Sequence, residues 1–128
     1  MTKFLIRFLL RAIKIRVSFQ LNEKDYPQKA IYVSNHVSWL DPLIMFAFLP
    51  NNPVFLLHTR LYRNKWLRFF LRQAEIIEYN YMDVQDTKKV IELLNQGRCC
   101  VMFPEGCMTN NGDIMKVYEA PAVIADRT

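Results

Sequence analysis

The stretch from Ala30 to Leu49, AIYVSNHVSWLDPLIMFAFL, holds two apolar runs with a polar segment between them. The first run is short and rich in β-branched and aromatic residues, which favours a buried strand. The second run starts at a proline, a residue suited to the first turn of a helix. The pattern therefore predicts a strand over 30–33, a polar turn, and a helix over 42–49.

The same alternation continues along the chain and predicts the fold class. Strand then helix, four times over, favours an α/β layered domain with a largely parallel sheet. A length of 128 residues leaves room for one such domain. Asp83 and Gly97 are placed to begin and end the third helix, and PNNP at 50–53 predicts a turn. The remaining predicted strands are 54–57, 75–79 and 99–103, and the remaining helices are 61–72, 84–96 and 114–125.

Positive charge is concentrated in two segments, 1–16 and 60–72, which hold ten of the 17 Lys and Arg and no acid. The rest of the chain has 7 bases against 12 acids, so a basic groove for nucleic acid is not expected. Within 3–15 the bases recur at steps of four, four and three, and the other positions are apolar. Residues 1–20 are therefore predicted to be an amphipathic N-terminal helix.

This helix is too short and too charged to span a bilayer, because about 13 residues reach only ~20 Å of a ~30 Å core. The segment 60–72 combines aromatic and basic residues in a similar way. We therefore expect peripheral contact with a membrane surface through 3–16 and 60–72. The alternative is that the first helix simply packs on the core with its bases in water.

The cysteines Cys99, Cys100 and Cys107 form no C-x-x-C pair, so a reducing setting is expected. Ligand spacing for a metal is lacking, and no metal is predicted. His58 ends an apolar strand and is expected to be a core residue. The N-terminal segment lacks the features of a secretory signal, because Arg7 and Arg11 interrupt its apolar region.

Two polar clusters follow predicted strands and should meet at one sheet edge, since the carboxyl ends of parallel strands lie together. In the first, Asp41 could orient the ring of His36 and leave its other nitrogen as a base. Alternatively, Asp41 caps the following helix and His36 is an ordinary loop residue. In the second, a strand ends at Pro104 and presents Glu105, which on its own could be a surface acid.

NHVSWLD at 35–41, followed by FPEG at 103–106, resembles the first and third sequence blocks of the glycerolipid acyltransferase superfamily, which includes lysophosphatidic acid acyltransferases. The stretches LPNNPVFLLHTRLYRNKWLR and LLNQGRCCVMFPEGCMTNNGDIMKVYEAPAVIA look closest to the acyltransferase half of bifunctional acyl-ACP synthetase/2-acylglycerophosphoethanolamine acyltransferase proteins. The resemblance implies an acyltransferase domain over 21–128. It also implies transfer of an acyl chain from a thioester to the free hydroxyl of a lysophospholipid.

The resemblance further implies roles for individual residues. His36 would be the general base on the acceptor hydroxyl, and Asp41 its orienting partner. No cofactor is expected beyond acyl-CoA or acyl-ACP as co-substrate, with acyl carrier protein as a partner in the second case. The expected location is peripheral, on the cytoplasmic face of the membrane. The substrate-binding positions would be Asn35, Ser38, Phe103, Pro104, Glu105, Gly106, Thr109 and Lys116, with Glu105 positioning the glycerol portion.

The chain departs from the family pattern after the third block, where Cys107 and Met108 stand in place of the usual arginine. Lys116 or Arg60 could supply the missing phosphate contact. The fourth block is absent, and we expect the sequence to be an incomplete piece of a longer protein. Two other readings stay open: a thioester hydrolase using Cys107 as nucleophile, and a membrane-docking pseudoenzyme without chemistry.

Overall fold

The computed structural model describes residues 2–18, 20, 22–58, 65, 69, 71–105 and 117–128. Its elements alternate in an α/β order around one parallel sheet of four strands. The strand order is β1-β4-β2-β3. The elements are α1 (Thr2–Ala12), β1 (Ala30–Val33), α2 (Asp41–Phe48), β2 (Val54–Leu57), β3 (Ile76–Glu78), α3 (Val84–Asn95), β4 (Cys99–Met102) and α4 (Ala120–Asp126).

The sheet has an apolar cluster on each face, so the predicted layered α/β class is confirmed. Every residue of β2 and β4, the two central strands, is buried. Because successive side chains point to opposite faces, Phe55 and Val101 join the cluster beneath α1 and α2. Leu56 and Met102 join the cluster beneath α3 and α4. The continuous apolar runs seen in the sequence are those of strands covered on both faces.

The ends of the elements follow the predicted local signals in most places. Asp83 accepts a hydrogen bond from the Gln85 N–H at 2.8 Å and caps α3. Gly97, with φ 79°, ends the same helix in the left-handed conformation that glycine adopts at low cost. In the 50–53 turn, Asn51 and Asn52 also have positive φ. Asparagine tolerates that region better than most residues.

The predicted bounds of the last helix are wrong. The last helix begins at Ala120 rather than 114, because Pro121 lies in its first turn and Val117 and Tyr118 before it are not helical. A proline fits this position since the first helical N–H groups need no intrahelical partner. The predicted helix over 61–72 lies largely outside the described residues, as does 114–116.

Helix α1 ends well before the end of the predicted helix over 1–20, at Ala12. Lys14 has φ 62° and its N–H bonds to the Arg11 carbonyl at 2.9 Å, while the Ile15 N–H bonds to the Leu10 carbonyl at 3.0 Å. These two bonds form a Schellman motif, in which a left-handed residue lets the last carbonyls find donors. Ile15 then packs against the same core cluster as Leu10.

Two bases of α1 contact the C-terminal end of α2. Lys3 Nζ donates to the Leu49 carbonyl at 3.0 Å, and Arg7 Nε donates to the Ala47 carbonyl at 2.7 Å. Lys3 also lies 5.3 Å from the Phe46 ring centroid. Unpaired carbonyls and the negative end of the helix dipole favour cations at this position. These two bases thus fasten α1 to α2, and the apolar side chains Phe4, Leu5, Phe8, Leu9 and Ile13 stay exposed.

The position of the polar loops follows from the strand order. β1 and β4 are neighbours, with Val33 opposite Met102. The chain leaves β1 for α2 on one face of the sheet and later enters α4, which packs on the other face. Adjacent strands whose chains diverge in this way form a crevice at their carboxyl ends, the usual place of a ligand site in α/β folds.

Candidate active site

His36 and Asp41 form a side-chain pair in the loop between β1 and α2. The His36 Nδ1 atom lies 3.1 Å from Asp41 Oδ2, and the His36 residue is 1% exposed. Because an ionised carboxylate only accepts hydrogen bonds, the Nδ1 atom carries a proton, and in the neutral ring Nε2 is then the atom with the lone pair. The structure thus has the pair that the five-residue spacing suggested.

The Asp41 carboxylate also organises the loop backbone. Its Oδ2 atom accepts hydrogen bonds from the N–H groups of Val37 and Ser38, both at 2.8 Å. Asp41 is the first residue of α2, and the residue before it, Leu40, makes no side-chain cap. The carboxylate therefore points back to the loop and the histidine. The alternative interpretation, in which Asp41 caps the following helix, is therefore not supported by its hydrogen bonds.

Glu105 reaches the same loop from the end of β4. It is 4% exposed, and its Oε1 atom accepts a hydrogen bond from the His36 backbone N–H at 3.2 Å. These two residues are 69 positions apart in sequence and meet because β1 and β4 are adjacent. The alternative of a surface acid is therefore wrong for Glu105.

Phe103 packs against the catalytic candidate and is itself held by a tyrosine. The rings of Phe103 and His36 lie 4.6 Å apart between centroids. The Tyr81 hydroxyl donates to the Phe103 carbonyl, and burial raises the pKa of Tyr81 above its ordinary value, which keeps that hydroxyl protonated. Tyr81 also stacks on Tyr118 at 4.8 Å, and the Tyr118 N–H bonds to the Pro104 carbonyl at 2.9 Å.

Two buried polar atoms of this site have no hydrogen-bond partner within the described part of the chain. They are His36 Nε2 and Glu105 Oε2. Buried polar atoms usually find partners, so an unpaired one at this edge of the sheet indicates a place where a ligand group or water can bind. Nε2 is the atom that a general base would use.

The other predicted binding residues divide into three groups. Ser38 shapes the loop: its hydroxyl accepts from the Leu40 N–H at 3.2 Å. Asn35 is exposed beside His36, and its carbonyl accepts from the Ser34 hydroxyl at 3.1 Å. Gly106, Thr109 and Lys116 lie outside the described residues. Cys107 and Arg60 also lie outside them, so the alternatives that involve these two residues stay open.

Sequence reasoning missed Tyr81 and Tyr118 as parts of this region. Both are ordinary aromatic positions in the sequence, and their link to Phe103 and Pro104 depends on long-range packing. It also placed His58 in the core, which is wrong, because His58 is exposed just beyond β2.

Other chemistry finds little support in the described residues. Cys99 and Cys100 are buried free thiols, and burial raises the pKa of Cys100 to about 11. A thiol with such a pKa is a poor nucleophile at neutral pH. Among the described residues, no group of three or more His, Cys, Asp or Glu could hold a metal ion. No helix within that part of the chain is long and apolar enough to cross a membrane.

A buried histidine with a carboxylate partner, at the carboxyl edge of a parallel sheet, is an arrangement that can perform general acid–base chemistry. A sequence model of the family described as Acyltransferase matches residues 14–127. The chain belongs to this acyltransferase family, and its chemistry is acyl transfer. This supports the resemblance to the glycerolipid acyltransferase superfamily, while the closer likeness to the bifunctional proteins stays a prediction. No solved structure matches the chain at a significant level.

Proposed function

We propose that the protein moves a fatty acyl chain from the thioester of coenzyme A or acyl carrier protein to the free hydroxyl of a lysophospholipid. The observation that carries this proposal is the buried Nε2 atom of His36, which has no hydrogen-bond partner among the described residues, on a ring oriented by Asp41. The family match supports acyl transfer in general. The lysophospholipid acceptor and the thioester donor rest on the resemblance of the NHVSWLD and FPEG blocks.

In the proposed reaction His36 Nε2 takes the proton of the acceptor hydroxyl as its oxygen attacks the thioester carbonyl. The resulting tetrahedral intermediate collapses, the carbon–sulfur bond breaks, and the imidazolium returns its proton to the leaving thiolate. Asp41 stabilises the imidazolium through the Nδ1–H bond throughout. The acceptor brings its own nucleophilic oxygen, so this scheme uses no protein nucleophile.

The loop backbone limits where the oxyanion of that intermediate can be stabilised. The N–H groups of His36, Val37 and Ser38 already donate to Glu105 and Asp41. A donor engaged by a carboxylate is not free for a developing oxyanion. The oxyanion donors of the proposed reaction therefore lie at other positions than these three amides.

The test is acyl transfer by the purified protein to a panel of lysophospholipids, with acyl-CoA and acyl-ACP as alternative donors. Transfer should be lost, by at least about 1,000-fold in kcat, in His36→Ala. The matched control is His58→Ala, which removes the other histidine at an exposed position and should keep transfer within about twofold. Transfer that survives His36→Ala would overturn the proposal.

We also propose that the protein binds peripherally to the cytoplasmic face of a membrane, through 3–16 and 60–72. The support on the described residues is the apolar face of α1, where Phe4 is 75% and Phe8 62% exposed. Lys3 and Arg7 contact α2, so we expect apolar insertion of α1, rather than these two charges, to contribute to the affinity. Phe69, in the second segment, is also exposed.

Sedimentation with phosphatidylcholine vesicles containing phosphatidylglycerol tests this surface. Phe8→Ala should weaken partitioning about 10- to 30-fold, because burying a phenylalanine side chain contributes about 2 kcal/mol. Met82→Ala is the matched control, since Met82 is 80% exposed on the loop before α3. Equal loss in both variants, or no loss in Phe8→Ala, would contradict the proposed surface.

A further inference from the structure

We propose that Glu105 is a positioning residue that fixes the backbone of His36, rather than a charge that holds the acceptor. This inference rests on the proposed function, because it concerns the geometry of the same base. Glu105 would act through its Oε1 atom, which accepts the His36 N–H at 3.2 Å. The resemblance alone places Glu105 on the glycerol portion of the acceptor, so the two roles make different predictions.

The backbone segment that carries the Glu105 side chain is itself restrained by hydrogen bonds. The two carbonyls before Glu105 accept bonds from the Tyr81 hydroxyl and from the Tyr118 N–H. Phe103 and Pro104 are buried, as is Glu105. A side chain on such a segment can hold a neighbouring loop in place, since its own position costs little further entropy to fix.

His36 is consequently held at both ends. Asp41 binds the ring through Nδ1, and Glu105 binds the backbone N–H. Together the two carboxylates engage three successive N–H groups, those of His36, Val37 and Ser38. If either of these contacts to His36 were lost, the imidazole could shift, and a misplacement of about 1 Å can lower the rate about 100-fold.

Two substitutions separate position from charge. Glu105→Gln keeps the reach of the side chain and an oxygen acceptor for the His36 N–H, but removes the charge. Glu105→Asp keeps the charge but withdraws the carboxylate by about 1.5 Å, one carbon–carbon bond. A positioning role therefore predicts that the Gln variant is the more active one, and a charge role predicts the reverse.

The activity test measures kcat and the KM for the lysophospholipid acceptor in both variants. We expect Glu105→Gln to lower kcat by threefold at most, Glu105→Asp to lower it at least 30-fold, and neither to raise KM by more than threefold. Higher activity in the Asp variant, or a large rise in KM in the Gln variant, would overturn the inference. A loss of 30-fold or more in the Gln variant would overturn it as well.

A spectroscopic test is independent of activity. The chain has two histidines, so selective ¹⁵N labelling of histidine gives two backbone amide signals, which His58→Gln assigns. The His36 amide proton should resonate downfield in the wild type and in Glu105→Gln, and move upfield in Glu105→Asp. The His58 signal reports folding in each variant. A His36 signal that stays unchanged in Glu105→Asp would overturn the positioning role.

The two proposals fail in different ways. If the wild type transfers no acyl chain to any lysophospholipid, the proposed function is lost, and the His36 amide shifts still decide whether Glu105 holds the loop. If the wild type is active and His36→Ala is not, the proposed function stands whichever of the two Glu105 variants is faster.

Discussion

Replacing Asp41 with Asn isolates what the charge of this residue contributes to the base. Within the described part of the chain, three hydrogen bonds to the carboxylate end on one atom, Oδ2, from His36 Nδ1 at 3.1 Å and from two loop N–H groups at 2.8 Å. An asparagine oxygen at that position still accepts all three bonds. The loop and the ring orientation should therefore be kept, while the imidazolium loses its counter-charge in the transition state.

The size of this effect follows from the burial of the pair. The His36 side chain is 2% and the Asp41 side chain 21% exposed, so the pair is largely but not fully shielded from water. A hydrogen bond to a charged group contributes about 1.5–3 kcal/mol, which corresponds to a fall in kcat of about 10- to 150-fold. Asp41→Ala removes the acceptor itself and should fall at least about tenfold further.

The assay is the initial rate of acyl transfer under saturating donor and acceptor, with a thermal melt of each variant to confirm folding. Asp83→Asn is the matched control, because Asp83 caps α3 and asparagine is an equally good cap. The reasoning is refuted if folded Asp41→Asn keeps kcat within threefold of the wild type. Equal rates in the Asn and Ala variants would also refute it, since the shared acceptor atom would then be irrelevant.

The remaining predictions concern stability and reactivity. Arg7→Ala should lower the free energy of unfolding by about 1–2 kcal/mol in urea titrations, because its charged donor holds a carbonyl of α2, whereas the exposed Arg11→Ala should change it by less than about 0.5 kcal/mol. Burial raises the pKa of Cys100 from 9.0 to about 11. At pH 8 its alkylation, followed by mass spectrometry, should thus be at least about 50-fold slower in the folded protein than after unfolding. The unfolded thiol ionises at a lower pH than the folded one, so the raised pKa stabilises the folded protein fully below about pH 9, and this stabilisation decreases as the pH rises toward 11. A melting temperature that rises over this range would contradict the prediction. Tyr81→Phe leaves the Phe103 carbonyl without its donor and should lower the free energy of unfolding by about 1–2 kcal/mol, with an unchanged melting temperature as the refuting result.

The sequence by itself determined the local structure of this protein. Apolar runs of strand length predicted β1 and β2 with the observed bounds, and came within one residue at each end for β3 and at the end of β4. Side chains that act on their own backbone were equally readable, as with Asp83 and Gly97. The His36–Asp41 pair also belongs here, because both residues lie in a single loop and a short turn suffices to bring them together.

The tertiary structure decided which distant groups meet. Hydrophobic periodicity identifies a strand but not the strand beside it. The contact of Glu105 with His36 depends on the strand order β1-β4-β2-β3, which makes β1 and β4 neighbours. The same limit applies to Tyr81, which reaches Phe103 across two different loops. In the sequence, Lys3 and Arg7 belong to the basic side of an amphipathic helix, yet in the structure they bind carbonyls at the end of α2. In each case the partner is a backbone group, which carries no signal of its own in the sequence.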